Sequence, residues 1–122
     1  MVKTLVICIT AFLFFSACNK SSSDSTTRVE YQVTATNSSK IDIDYNNVLG
    51  NKISTSAQNS WVFDVVIDKK PFTAYIQAAS ASPFSSVTTT CTVNILVNGS
   101  IVKTTTVSSN TVATAEAEYT VQ

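Results

Sequence analysis

The chain has 122 residues, in which eight basic and eight acidic side chains cancel and only 13% are charged. That length leaves room for one domain, and the charge balance excludes a nucleic-acid footprint and a polybasic membrane patch. Histidine is absent, which removes the commonest general base, nucleophile partner and metal ligand together, so the expected protein is not an enzyme and holds no cofactor or metal.

The chain opens as an address. Lys3 precedes the apolar run Leu5 to Phe15, interrupted only by Thr10, and Ser16 and Ala17 come just before Cys18. The run is about 11 residues, against about 20 for a helix that spans a bilayer, so residues 1–17 read as a signal peptide. Phe15-Ser16-Ala17-Cys18 resembles a bacterial lipobox, with Phe15 where leucine is usual. The resemblance implies that Cys18 is diacylated, becomes the mature N-terminus and places the membrane among the partners. Asn19 after the cysteine, rather than an acidic residue, implies sorting to the outer membrane. Whether the chain faces the periplasm or the outside is not encoded. Two or more acyl chains hold a protein on a bilayer where one is marginal.

Of the three cysteines, Cys8 leaves with the signal and Cys18 carries lipid, so Cys91 stands alone in the folded part and reads as a small buried apolar residue. Residues 18–27 contain the lipidated cysteine and a polar tether, NKSSSDSTT, with nothing to bury.

From Arg28 the pattern has a period of two. Val29, Tyr31, Val33 and Ala35 form one inward set, and Ile41, Ile43 and Tyr45 form the next. After a turn at Asn46 to Asn51 and a short strand at Ile53, Trp61, Phe63, Val65 and Ile67 share a face. Val62 and Val66 make the second face of that segment apolar too, the pattern of a central strand. Asp68-Lys69-Lys70-Pro71 turns the chain into Phe72, Ala74, Ile76 and Ala78, followed by a loop over 79–86.

Asn98-Gly99 is the preferred pair for a two-residue type I′ hairpin. With Val97 opposite Ser100, an unbroken register sets Ile95 against Val102 and Val93 against Thr104 inside, and Thr92 against Thr105 and Asn94 against Lys103 outside. Ala113, Ala115, Ala117, Tyr119 and Val121 are the last inward set.

About seven antiparallel strands with one apolar face must bury it against a second sheet. The expected fold of residues 28–122 is therefore an all-β, immunoglobulin-like β-sandwich, with a small barrel as the alternative. Trp61, Phe63, Phe72, Tyr31, Tyr45 and Tyr119 are the bulkiest expected inner side chains. Loss of a fully inner Trp61 would cost roughly 3 to 5 kcal/mol.

The landmarks Tyr31-Gln32-Val33-Thr34, Ile43-Asp44-Tyr45-Asn46 followed by Gly50, Trp61, Ala74-Tyr75-Ile76-Gln77-Ala78 and the run Val93 to Lys103 occur in an order that resembles the MmpS-type transport accessory proteins. The resemblance implies a small β-sandwich that partners a large resistance-nodulation-division (RND) exporter. The chain departs from that family at Ala35, where glycine is frequent, and in a lipid anchor where the family has a transmembrane helix.

Four further groups bear on function. Asp42-x-Asp44-x-Asn46 opens like a calcium loop, but Asn47 and Ile53 occupy the glycine and glutamate positions, so solvated acids are expected. Glu116 and Glu118 share a strand face without a third polar partner, which again reads as solvation. Outward Thr88, Thr90 and Thr92, backed by Thr105, form a hydroxyl array suited to a glycan, giving the alternative reading of a glycan-binding or adhesion module. Phe84 in its serine-rich loop, with Leu96 and Ile101 beside the hairpin tip, are the apolar residues expected to meet a protein partner.

Overall fold

The computed structural model describes residues 26–122. The signal peptide, Cys18 and the tether as far as residue 25 lie outside the described residues.

Eight strands follow one another: β1 (Thr27–Thr36), β2 (Lys40–Asn46), β3 (Lys52–Ala57), β4 (Ser60–Ile67), β5 (Phe72–Ala81), β6 (Thr89–Val97), β7 (Ser100–Ser109) and β8 (Val112–Val121). They form two antiparallel sheets, β4-β1-β6-β7 and β3-β2-β5-β8, packed as a β-sandwich and not closed into a barrel. Only β2–β3 and β6–β7 are hairpins within a sheet; every other connection crosses from one layer to the other. The alternation explains the two layers. Val29, Tyr31, Val33, Ile41, Ile43, Val65, Ile67, Ala74, Ile76 and Ala78 are all buried in one core, while the intervening residues face out.

The core is graded in side-chain size. Ala74, Ala78, Ala113, Ala115, Ala117 and Cys91 line the side where β5 and β8 face β6, and Cα atoms of β6 and β8 come within 8 Å of each other. Facing sheets ordinarily lie about 10 Å apart, so alanine is what permits this approach. The opposite side holds the aromatics. Tyr45 of β2 packs against Trp61 and Phe63 of β4, each with ring centroids 4.9 Å away, and against Tyr31 of β1 at 5.7 Å.

Three expectations change. The hairpin turn forms as anticipated, with positive φ at Asn98 (49°) and Gly99 (84°). Its register, however, shifts between Ile95 and Leu96, so Ile95 pairs with Lys103, Asn94 with Thr104, Val93 with Thr105 and Thr92 with Thr106. Val102 and Val107 are five positions apart, and an unbroken strand would put them on opposite faces. A bulge at Val102 restores both to the core side, where both pack on the central cluster.

The segment around Trp61 is an edge strand rather than a central one. Trp61 is consequently half-buried and Phe63 exposed, because an edge strand leaves its inner side chains open on one side; Tyr119 is exposed in the same way on β8, the edge strand at the opposite flank. The loop after β5 is shorter than expected, since pairing with β8 carries β5 on to Ala81.

Candidate binding surface

The connection between β3 and β4 shows which edge of β4 is free among the described residues. Thr34 pairs with Ser60, so Ala35 stands opposite Asn59, and the Ala35 amide donates to the Asn59 carbonyl at 2.8 Å. In an antiparallel ladder the directly hydrogen-bonded pairs alternate. Trp61, Phe63, Val65 and Ile67 therefore turn their amides and carbonyls towards β1, and Ser60, Val62, Asp64 and Val66 turn theirs outward. The same parity holds on the other side of β1, where the Asn98 amide donates to the Arg28 carbonyl.

That outward edge is bordered by apolar side chains. Val62 and Val66 are 58% and 57% exposed on the outer face, Phe63 is open on the inner face, and a depression of about 240 Å³ lined by Asn47, Val48 and Phe63 to Val66 runs beside them. The single charge on the strand, Asp64, is paired within the chain with Arg28 at 2.6 Å, which also approaches Glu30 at 3.4 Å. This hydrogen-bonded guanidinium holds the Asp64 carboxyl below the usual carboxylate range, and Asp64 in turn raises Arg28. Sheet edges normally carry charge, bulges or short strands that discourage pairing. β7 has its bulge and Lys103, and β3 is six residues long and begins with Lys52. β4 is eight residues long with no register shift against β1, and its one charge is paired within the chain. Chemically it can take an extended chain segment as an added strand, with main-chain bonds for affinity and the valines for side-chain contact.

The residues singled out in the sequence are dispersed. Phe84 is 70% exposed, in the loop between β5 and β6, and Ile101 is exposed next to the β6–β7 turn. The nine residues of β6 separate them, about 30 Å of strand, so they do not form one surface. Leu96 is not exposed as expected. Only 9% of it is accessible, as it lies on a central strand between Glu30 and Ile101 in register.

Asp42, Asp44 and Asn46 lie in alternation on β2, engaged within the chain. Lys40 approaches Asp42 at 2.9 Å, Ser54 donates to Asp44 at 2.6 Å with Lys52 at 3.0 Å, and the Asn46 side-chain Nδ2 donates to the Thr73 carbonyl. The Ser54 hydrogen bond, then Lys52, lowers the Asp44 carboxyl. Among the described residues no cluster of three metal-ligating side chains occurs. Glu116 and Glu118 project from the outer face of β8 opposite Gln77 and Tyr75.

The hydroxyl array differs in membership. Thr90 pairs with Ser108 at 2.8 Å and Thr92 with Thr106 at 2.9 Å, whereas the bulge turns Thr105 towards the core side. Cys91 is wholly buried, its Sγ 3.7 Å from the Ala78 carbonyl, and burial pushes its thiol pKa up.

Two-sided apolarity in a sequence predicts burial on both faces, whereas β4 is an edge strand whose outer valines stay exposed. The signal was there in Val62 and Val66; only the topology says that one flank is uncovered.

No family model matches this chain, and no curated protein matches it.

Proposed function

We propose that this is a bacterial envelope lipoprotein, anchored in the outer membrane through lipid on Cys18, whose β-sandwich works by binding rather than catalysis. The observation that carries the binding role is the edge of β4, unpaired among the described residues, where outward main-chain groups of Ser60, Val62, Asp64 and Val66 are flanked by exposed valines and one ion-paired acid. Such an edge fits an extended segment of another envelope protein. The order of landmarks that resembles the MmpS-type accessories favours an RND-type exporter as the source of that segment.

The test is affinity capture of the acylated protein from membranes, comparing wild type with Val62→Lys and Val66→Lys. Edge lysines oppose strand addition, and both sites are exposed enough to accept the substitution. A transporter or envelope component recovered with wild type and lost with the lysine variants supports the reading. Equal recovery with all three overturns the role of β4.

The second reading, a glycan-binding or adhesion module, draws on the paired hydroxyls Thr90–Ser108 and Thr92–Thr106 on the outer face of β6 and β7. A glycan array on which binding disappears in Thr92→Val and Thr106→Val would favour it over the first.

A further inference from the structure

The two ends of the sandwich differ in charge and apolarity. One end carries the loops between β1 and β2, β3 and β4, β5 and β6, and β7 and β8; residues 37–39, 58–59, 82–88 and 110–111 contain no ionisable side chain. The other end carries residues 47–51 and 68–71 and the Asn98–Gly99 turn, and it is where the chain enters β1. Thr27 is the register partner of Ile67, the residue directly before Asp68-Lys69-Lys70. The N-terminal segment therefore joins the domain beside the lysine loop.

At that end two aliphatic side chains are displayed at a loop tip. Leu49 is 78% exposed and Val48 48%. Their loop is held by Asn47, whose side-chain oxygen accepts from the amides of Leu49 and Asn51, both at 3.0 Å, while its carbonyl accepts from Gly50 at 2.9 Å. Gly50 has φ of 78°, the left-handed conformation that closes such a turn. Leu49 and Lys69 line one shared depression with Pro71 and Phe72, so the apolar tip and the cationic loop stand side by side. Arg28, Lys40 and Lys52 have carboxylate partners, and among the described residues Lys69 and Lys70 have none within 4 Å. Asp68 offsets part of their charge, leaving the loop net positive.

We infer that this end of the domain docks on an anionic bilayer surface, with Val48 and Leu49 entering the interface and Lys69 and Lys70 meeting lipid phosphates. Apolar side chains flanked by lysines suit that boundary, where the hydrophobic part is buried and the charge meets acidic headgroups. The bilayer is within reach on the proposed anchoring through Cys18, on which the inference rests. β1 begins at Thr27, so residues 19–26 are the link, and eight residues extend to at most about 30 Å. The docking is weak by itself and acts as an orienting contact, turning a tethered domain upright with the Phe84 end away from the membrane and the β4 edge to the side.

The acylated protein is reconstituted in vesicles of phosphatidylethanolamine and phosphatidylglycerol, with a bimane on Leu49→Cys or, as the control at the far end, Phe84→Cys. Nitroxide-bearing lipid is the quencher. Quenching at residue 49 several times that at residue 84, lost in phosphatidylcholine vesicles or on combining Lys69→Glu with Lys70→Glu, is the expected result. If the protein floats with the vesicles but residue 49 is quenched no more than residue 84, the docking is wrong and the anchor stands. If it does not float, anchor and docking fall together.

Discussion

Ser80 Oγ and Thr89 Oγ1 lie 2.6 Å apart, both wholly buried, and join the two sheets through β5 and β6. The direction of the bond follows from its neighbour. Thr89 donates its proton to the Thr36 carbonyl at 3.0 Å, so Ser80 must be the donor to Thr89.

This chain makes the two hydroxyls unequal. Thr89→Val deprives Ser80 of its acceptor and the Thr36 carbonyl of a donor, and is expected to cost about 1 to 3 kcal/mol; Ser80→Ala leaves only a spare lone pair on Thr89 and should cost less. The double variant is expected to be less destabilised than the sum of the two. Urea titrations of the four proteins measure this, and additive losses would contradict the chain.

Tyr31 forms the second link between sheets, its hydroxyl donating to the Asn46 carbonyl at 2.9 Å. Burial pushes its pKa up to about 12. A raised phenol pKa disfavours the ionised form in the folded state, so this stability is fully present below the unfolded value near 10 and is lost as pH rises from about 10 to 12. Thermal melts between pH 9 and 12 should fall more steeply for wild type than for Tyr31→Phe. At neutral pH that variant is expected to lose about 1 kcal/mol with the hydrogen bond.

Trp61 packs on Tyr45 and stacks on Phe63, with centroids 5.8 Å apart and planes 5° from parallel, but one flank is open. Trp61→Ala should therefore cost about 2 kcal/mol, below the roughly 3 to 5 of a fully enclosed tryptophan, and leave the domain folded. Retained strand-type circular dichroism with a lowered denaturation midpoint is the expected observation; complete unfolding would mean that β4 is covered in solution.

The two-layer fold was legible because side-chain alternation records which face of a strand is buried. Val29, Ile43, Ile76 and Ala115 all fall where the period of two assigns them. Alternation does not record who stands beside whom. With most connections crossing between layers, strand neighbours come from distant segments, and whether the Trp61 segment is central or marginal is decided by pairings such as Val33 with both Trp61 and Val93. The bulge was encoded in the odd spacing of Val102 and Val107, a parity that an unbroken register violates. Of the candidate surface residues, Phe84 and Ile101 are exposed as read, whereas Leu96 is covered by cross-strand neighbours that a linear pattern does not reveal.

The central claim is that the domain is held to the envelope by lipid on Cys18 so that its β4 edge can bind. Intact-mass analysis of protein purified from bacterial membranes tests the anchor most directly. A chain beginning at Cys18 and heavier than its sequence by at least a diacylglyceryl group is the predicted result. A chain that keeps residues 1–17 and an unmodified Cys18 would contradict it.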